Sequence, residues 1–194
     1  HRLRELNKCA YEDGTLEFLT TADKTGKKAY RRSVTLLMQK AVHDLWGDEG
    51  VDVRVKYSIG QGYYCELVKK ADGKEEVIPV SEAKTGQLKN EMYHLVAADL
   101  TIEKKSINTD EAIAMFHEYG MTDKEKLFRY RRSSRVNIYE IDHYIDYFYG
   151  FMVPSTGYLQ YYDVFPYEDG FMLQFPDKDT RKVAEFEPAK KLFY

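Results

Sequence analysis

The sequence predicts an α+β fold with a largely antiparallel sheet. One stretch carries apolar residues at helical spacing, and several others alternate apolar and polar residues between glycine-containing turns. Helices and hairpins are segregated along the chain and do not alternate as β-α-β units, which favours this class. A length of 194 residues is sufficient for one self-supporting hydrophobic core.

The first 20 residues form the least regular part of the sequence. An Asp13-Gly14 turn precedes the alternating residues Leu16 and Phe18, which predicts a strand over residues 12–19. About 20 residues cannot bury a useful core, so we interpret residues 1–20 as the remnant of a neighbouring domain. The polar, glycine-containing stretch that follows predicts a linker over residues 21–29, and residues 30–194 then form the main domain.

The main domain begins with a predicted helix that ends at Gly47. Its apolar stripe consists of Val34, Leu37, Met38, Ala41, Val42 and Leu45. Alternating valines at positions 51, 53 and 55 and an apolar run at 64–68, separated by Gly60 and Gly62, predict a hairpin, with a further turn at Asp72-Gly73.

The second half of the chain contains two more predicted helices and a series of strands. Ser81 caps one helix, whose inward residues are Leu88, Met92, Leu95 and Val96. A strand is predicted over 100–107, and the capping-box spacing of Asn108 and Glu111 begins a third helix that ends at Gly120. Strands are predicted over 136–141, 158–165 and 171–175, with turns at 154–157 and at Asp169-Gly170.

Composition excludes several classes of protein. No run approaches the ~18–20 apolar residues that span a bilayer, and the N-terminal residues do not resemble a secretory signal. Cys9 and Cys65 form no C-x-x-C pair, which fits a reduced, cytoplasmic protein without a cysteine-built zinc site. The 29 basic and 32 acidic residues give a net charge of −3, which argues against strong non-specific binding of nucleic acid.

Familiar catalytic motifs are missing from the sequence. None of the 12 glycines begins a phosphate-binding loop, and there is no H-E-x-x-H or G-x-S-x-G motif. His43, His94, His117 and His143 are scattered, which is typical of surface or core histidines. We therefore predict no catalytic residue, metal or cofactor for this chain.

A basic segment and an aromatic segment stand out in the second half. The basic one contains Arg129, Arg131, Arg132 and Arg135. The aromatic one covers residues 139–151 and includes Tyr149. Arginines bind phosphates and aromatic rings stack on bases, so the pair could face RNA. Alternatively, the arginines form a solvated loop that pairs with nearby carboxylates at 140, 142 and 146.

Three stretches together resemble a known family. They are residues 30–37 (YRRSVTLL), residues 60–64 (GQGYY) and residues 150–157 (GFMVPSTG). They look like the second additional domain of threonyl-tRNA synthetase, an editing region shared with alanyl-tRNA editing proteins. Residues 1–20 resemble the end of the β-grasp TGS domain that precedes it. The sequence of residues 146–157 is similar to that of bacterial uridine-kinase-like proteins. This similarity implies a C-terminal kinase domain that would bind ATP and Mg²⁺.

The resemblance also implies an editing cleft whose ligands have changed. Where the synthetase has H-x-x-x-H and C-x-x-x-H, this chain has Arg31 and Thr35, then Phe148 and Met152. None of these four can replace an imidazole base or hold a hard metal ion. Lys124 and Asp146 match two polar cleft positions of the family that are kept.

Three functional hypotheses remain open at this stage. The first is a non-catalytic accessory region of a nucleoside-kinase-like protein, which binds a small molecule or regulates its neighbour. The second is an RNA-binding module that holds a tRNA with Arg31, Arg32 and the arginines of 129–135. The third is a residual aminoacyl-tRNA editing hydrolase that uses Lys124 and Asp146 without a metal. None of the three calls for a membrane.

Overall fold

The structure is a computed structural model, and it describes residues 3–6, 8–71, 74–130, 133–177, 182–183 and 185–186. It confirms the predicted α+β class, because four α-helices accompany two antiparallel sheets in these residues. The chain divides into two compact units. The first consists of His1–Thr101 with Phe151–Tyr194, and the second is Ile102–Gly150.

The first unit contains a five-stranded sheet and two helices. The helices are α1 (Lys24–Trp46) and α2 (Glu82–Ala97), and the strands are β1 (Val51–Ile59), β2 (Gly62–Ala71), β3 (Lys74–Ile78), β7 (Asp163–Tyr167) and β8 (Gly170–Gln174). The strand order is β1-β2-β8-β7, and β3 also pairs with β2. The β1–β2 hairpin is confirmed, with Val53 opposite Leu67. The turn predicted at Asp72-Gly73 lies outside the described residues.

Helix α1 carries the predicted apolar stripe into the core of this unit. Val34, Leu37, Met38 and Ala41 are fully buried, and α1 packs against α2 and β1. The helix begins at Lys24, so it includes most of the segment that composition assigns to a linker. Its first turns can be polar because none of the residues from 24 to 29 is buried. Gly26 is required there, since a Cβ would lie 2.0 Å from the Thr20 carbonyl oxygen.

The strand predicted over residues 12–19 is wrong. No residue from 8 to 20 is in a strand, and Leu16 and Phe18 are 76% and 74% exposed. Alternation alone does not make a strand, because the backbone N–H and C=O groups need a neighbouring strand. No described strand pairs with this segment.

The second unit contains a three-stranded sheet and two helices. The elements are β4 (Glu103–Asn108), α3 (Thr109–Glu118), α4 (Thr122–Arg129), β5 (Arg135–Ile141) and β6 (Tyr144–Tyr147), with strand order β4-β5-β6. The predicted capping box of Asn108 and Glu111 begins α3. The core of the unit contains Ala112, Phe116, Phe128, Val136 and Ile138.

Four elements differ from the prediction. Strands β3 and β6 and helix α4 are present although the pattern did not indicate them, and β7 begins at Asp163, five residues later than predicted. Residues 154–157 do form a turn, which continues into a 3₁₀ helix over Thr156–Tyr158. Residues 159–162 precede β7 without regular structure, and Leu159 and Tyr162 from this stretch are buried. Their apolar character therefore reflects packing rather than strand pairing.

Candidate functional site

In the first unit, Arg31 and Thr35 lie one turn apart on α1. The Arg31 Nη2 donates a hydrogen bond to Gln61 Oε1 at 2.6 Å, and its guanidinium lies over the Phe175 ring at 5.1 Å from the centroid. Thr35 is 6% exposed, and its hydroxyl donates to the Arg31 carbonyl oxygen at 2.8 Å. Both side chains are therefore held in place by neighbours, and neither presents a basic lone pair.

The segment that carries Met152 is attached to the same helix. Arg32 Nη1 donates to the Phe151 carbonyl oxygen, and the Val153 amide donates to Ser33 Oγ at 3.0 Å. Met152 between them is buried, at 6% exposure. Residues 151–153 are thus fixed along α1 by two hydrogen bonds to the adjacent helix residues Arg32 and Ser33.

Around Arg31 the structure reveals site residues that the sequence pattern does not indicate. Lys27 Nζ donates to the same Gln61 Oε1 at 3.0 Å, so an ammonium and a guanidinium share one neutral acceptor. A small open cleft adjoins them, lined by Thr21, Lys27, Tyr30, Arg31, Phe175 and Pro176. The i, i+4 spacing of Lys27 and Arg31 on a helix is the signal that could have paired them in advance.

In the second unit, the structure brings Lys124 and Asp146 together. Lys124 on α4 forms an ion pair with Oδ1 of Asp146 on β6. The Asp146 carboxylate is 1% exposed and also accepts from the Tyr147 amide, whereas the lysine side chain remains 30% exposed. The pair therefore combines a fixed buried anion with a cation that can still reach solvent. Phe148 follows β6 in the same unit and is partly buried.

The predicted RNA-contacting arginines differ in how far their charge is neutralised. Arg129 forms an ion pair with Glu125, which also accepts from His117 Nδ1 at 3.0 Å. Hydrogen bonds from His117 first, and then from Arg129, lower the pKa of Glu125. Arg135 instead donates to the carbonyl oxygen and hydroxyl of Ser106, at 2.6 and 3.2 Å. Both groups are neutral, so neither compensates the charge of the Arg135 guanidinium.

Two more predicted contacts can be placed. Arg32, like Arg135, bonds to a neutral backbone oxygen. Tyr149 is 82% exposed, so its ring is available for stacking. Arg131 and Arg132 lie outside the described residues.

Two features are absent from the described part of the chain. No three His, Cys, Asp or Glu side chains among these residues are grouped so that they could hold a metal ion. None of the helices found there has the length and apolar character that crossing a bilayer requires.

Comparison with curated proteins gives the class of the domain. The chain is 31% identical over 146 residues to the threonine–tRNA ligase of Syntrophotalea carbinolica, which covers 75% of this chain and 22% of that ligase. It is 27% identical over 161 residues to the ligase of Thermotoga maritima, covering 82% and 24%. Threonine–tRNA ligase 1 of Bacillus subtilis is 30% identical over 151 residues, covering 75% and 22%. No family model matches the chain.

Over 75–82% of its length the chain is therefore similar to part of threonine–tRNA ligases, and its α+β fold is consistent with that similarity. More particularly, the similarity supports an editing-like domain, as the motifs in α1 and residues 150–157 predict. The chain spans about a quarter of the length of the ligases that it matches.

Proposed function

We propose that this chain is a tRNA-binding, editing-like module of a synthetase-like protein, and that it holds the 3′ end of an aminoacyl-tRNA without hydrolysing it. The relatives reported above are threonine–tRNA ligases, and tRNA is named in their activity. This supports the RNA-binding hypothesis better than an accessory role beside a nucleoside kinase, for which the comparisons offer no support.

One observation supports the proposal that hydrolytic activity has been lost. The resemblance implies histidines at positions 31 and 35, where this chain has Arg31 bonded to Gln61 and Thr35 bonded to a carbonyl oxygen. Arginine stays protonated in proteins, and the threonine hydroxyl is committed as a donor. Since general acid–base catalysis contributes ~10²–10⁴-fold in rate, a chain without this base would hydrolyse an ester poorly.

Retention of binding is supported by the Lys124–Asp146 pair. The buried carboxylate fixes the lysine ammonium, which has three donors and is only partly covered by protein. A cation oriented in this way can bind a hydroxyl or phosphate oxygen with little loss of side-chain entropy. Within the same unit, Arg135 and the exposed Tyr149 would add a phosphate contact and base stacking.

The proposal is tested by measuring binding and hydrolysis of the same ligand. Fluorescence anisotropy would follow a tRNA carrying serine at its 3′ end, at two salt concentrations, while deacylation is measured in parallel. We expect binding that weakens steeply with salt, and deacylation no faster than a protein-free blank. Hydrolysis well above the blank would instead establish a residual hydrolase, and no salt-sensitive binding at micromolar protein would refute the RNA-binding module.

Helix α4 offers a matched pair of variants for the same assay. Lys124→Gln and Lys126→Gln remove the same charge from one helix, but only Lys124 pairs with Asp146. We expect Lys124→Gln to weaken binding at least about tenfold and Lys126→Gln to change it by less than about threefold. Arg135→Gln provides a second test away from the buried carboxylate, in case Lys124→Gln unfolds the unit.

A further inference from the structure

We propose that Lys27 and Arg31 form a binding site for a phosphate group. Their Nζ and Nη2 atoms approach a single acceptor, Gln61 Oε1, at 3.0 and 2.6 Å. Both residues lie on one face of α1, one turn apart, and Gln61 lies in the turn between β1 and β2. Helix and hairpin thus hold two cations at a common point.

No described residue neutralises the two positive charges. No carboxylate in the described part of the chain bonds to Lys27 or Arg31, and their shared partner is a neutral amide. Like charges at i, i+4 repel each other, and a single amide dipole compensates two full charges only weakly. Arg31 Nε is moreover buried without a hydrogen-bond partner in the described structure, which leaves one donor of the fork unused.

The surroundings suit a small anion rather than a large ligand. The space in the cleft beside the two cations is about 190 Å³ even with open solvent included, so the cleft is too small to enclose a whole small molecule. The Arg31 guanidinium lies over the Phe175 ring, and this contact orients the planar group. One charged group can therefore enter while the rest of its molecule stays outside.

Phosphate matches this arrangement best. The guanidinium fork binds two phosphate oxygens side by side, and the ammonium adds a point charge for a third. A phosphate monoester carries up to two negative charges, which would balance both cations. The phosphate could belong to an RNA backbone, where it is a diester with one negative charge and would balance one of the two cations, and in that case the inference rests on the proposed function. It could instead belong to a free phosphate compound, in which case the inference does not rest on it.

The decisive variant is Gln61→Glu. It keeps the shape of the side chain and both cations, but it supplies an internal carboxylate where the ligand phosphate would bind. In chloride buffer without phosphate, we expect Gln61→Glu to unfold at a higher temperature than the wild type, because the two cations gain a counter-charge. Inorganic phosphate at millimolar concentration should raise the unfolding temperature of the wild type and not that of Gln61→Glu.

Two lysine variants complete this first experiment, the measurement of unfolding temperature with inorganic phosphate. Lys27→Gln should lose the phosphate shift, whereas Lys28→Gln, which removes the same charge from the exposed neighbouring position, should keep it. A second arm compares the affinity of wild type and Gln61→Glu for tRNA at two salt concentrations. If the phosphate belongs to RNA, Gln61→Glu should bind at least about tenfold more weakly, with a salt slope lower by about one.

The outcomes separate this inference from the proposed function. A phosphate shift confined to wild type and Lys28→Gln supports the site even if tRNA does not bind at all. A weaker tRNA affinity of Gln61→Glu supports an RNA phosphate as the ligand. The inference is overturned if Gln61→Glu is no more stable than wild type, or if phosphate shifts all four proteins equally. It is also overturned if phosphate shifts none of them and tRNA binding is unchanged.

Discussion

The Tyr30 hydroxyl makes two hydrogen bonds to the backbone of Tyr161. It donates to the carbonyl oxygen at 3.1 Å and accepts from the amide nitrogen at 2.8 Å. Tyr30 is 6% exposed, so both bonds are shielded from water. This one side chain joins α1 to the stretch that precedes β7, 131 residues further along the chain.

Replacing Tyr30 by Phe should lower the free energy of unfolding by about 2–3 kcal/mol, because a donor and an acceptor of the Tyr161 backbone lose their partner. Urea unfolding followed by circular dichroism measures the effect. Tyr161→Phe is the matched control, since the bonds involve only its backbone and its side chain is 39% exposed. A comparable loss in both variants would contradict this account.

The same tyrosine should make the protein sensitive to alkali. Burial raises the pKa of Tyr30 to about 12, above the ordinary value of 10.0. Between these two values the unfolded chain loses the proton while the folded chain keeps it, so stability falls as pH rises. We expect up to about 2–3 kcal/mol of stability to be lost from this source between pH 10 and 12. Unfolding curves of Tyr30→Phe should decline less over that range than those of the wild type, and equal declines would refute the assignment.

Tyr162 presents the opposite case, a buried hydroxyl without a partner in the described structure. The residue is 4% exposed and its ring packs against Tyr93, with centroids 5.5 Å apart. Burial raises its pKa. Removing an unsatisfied buried hydroxyl should help the fold, so we expect Tyr162→Phe to gain about 1 kcal/mol in urea unfolding. Tyr158→Phe, at an exposed site, should change little, and a destabilised Tyr162→Phe would show that the hydroxyl has a partner.

Thr156 holds the 154–157 turn onto the end of α2. Its fully buried hydroxyl accepts from the Leu100 amide at 2.8 Å and donates to the Leu95 carbonyl oxygen at 2.6 Å. Thr156→Val has nearly the same shape but loses both bonds, and we expect a cost of about 2–4 kcal/mol in thermal or urea unfolding. Thr156→Ser keeps the hydroxyl and should lose only about 1 kcal/mol for the missing methyl. Similar losses in the two variants would argue against the hydroxyl.

The two cysteines should differ sharply in reactivity. Cys9 is exposed, whereas Cys65 is fully buried, and burial raises its pKa to about 12. The thiolate is the reactive form, so at pH 8 a disulfide reagent such as DTNB should modify one thiol quickly and the second only as the protein unfolds. Cys9→Ser should abolish the fast phase. Two fast equivalents in the wild type would contradict the buried position of Cys65.

The local sequence pattern was sufficient to predict the elements that bury a regular apolar face. The stripe of α1, the alternating valines of β1 and the Asn108–Glu111 capping box each correspond to an observed element. The elements missed have no such face. Strand β3 is almost entirely exposed and exists by pairing with β2, and α4 is highly charged but turns Phe128 into the core of the second unit. Residues 12–19 show the converse, an alternating pattern without a strand to pair with.

By itself, the sequence determined the α+β class, the principal helices and the hairpin, because apolar periodicity depends only on neighbours along the chain. The resemblance to an editing domain further implied that arginine and threonine stand at the positions of its histidines. Only the tertiary structure decided what these side chains do. Lys124 meets Asp146 across 22 residues and Arg31 meets Gln61 across 30, and such contacts depend on how strands and helices assemble. A hydrogen bond or ion pair between distant residues leaves no periodic trace in a sequence, so the partners of each site residue emerge only when the chain is folded.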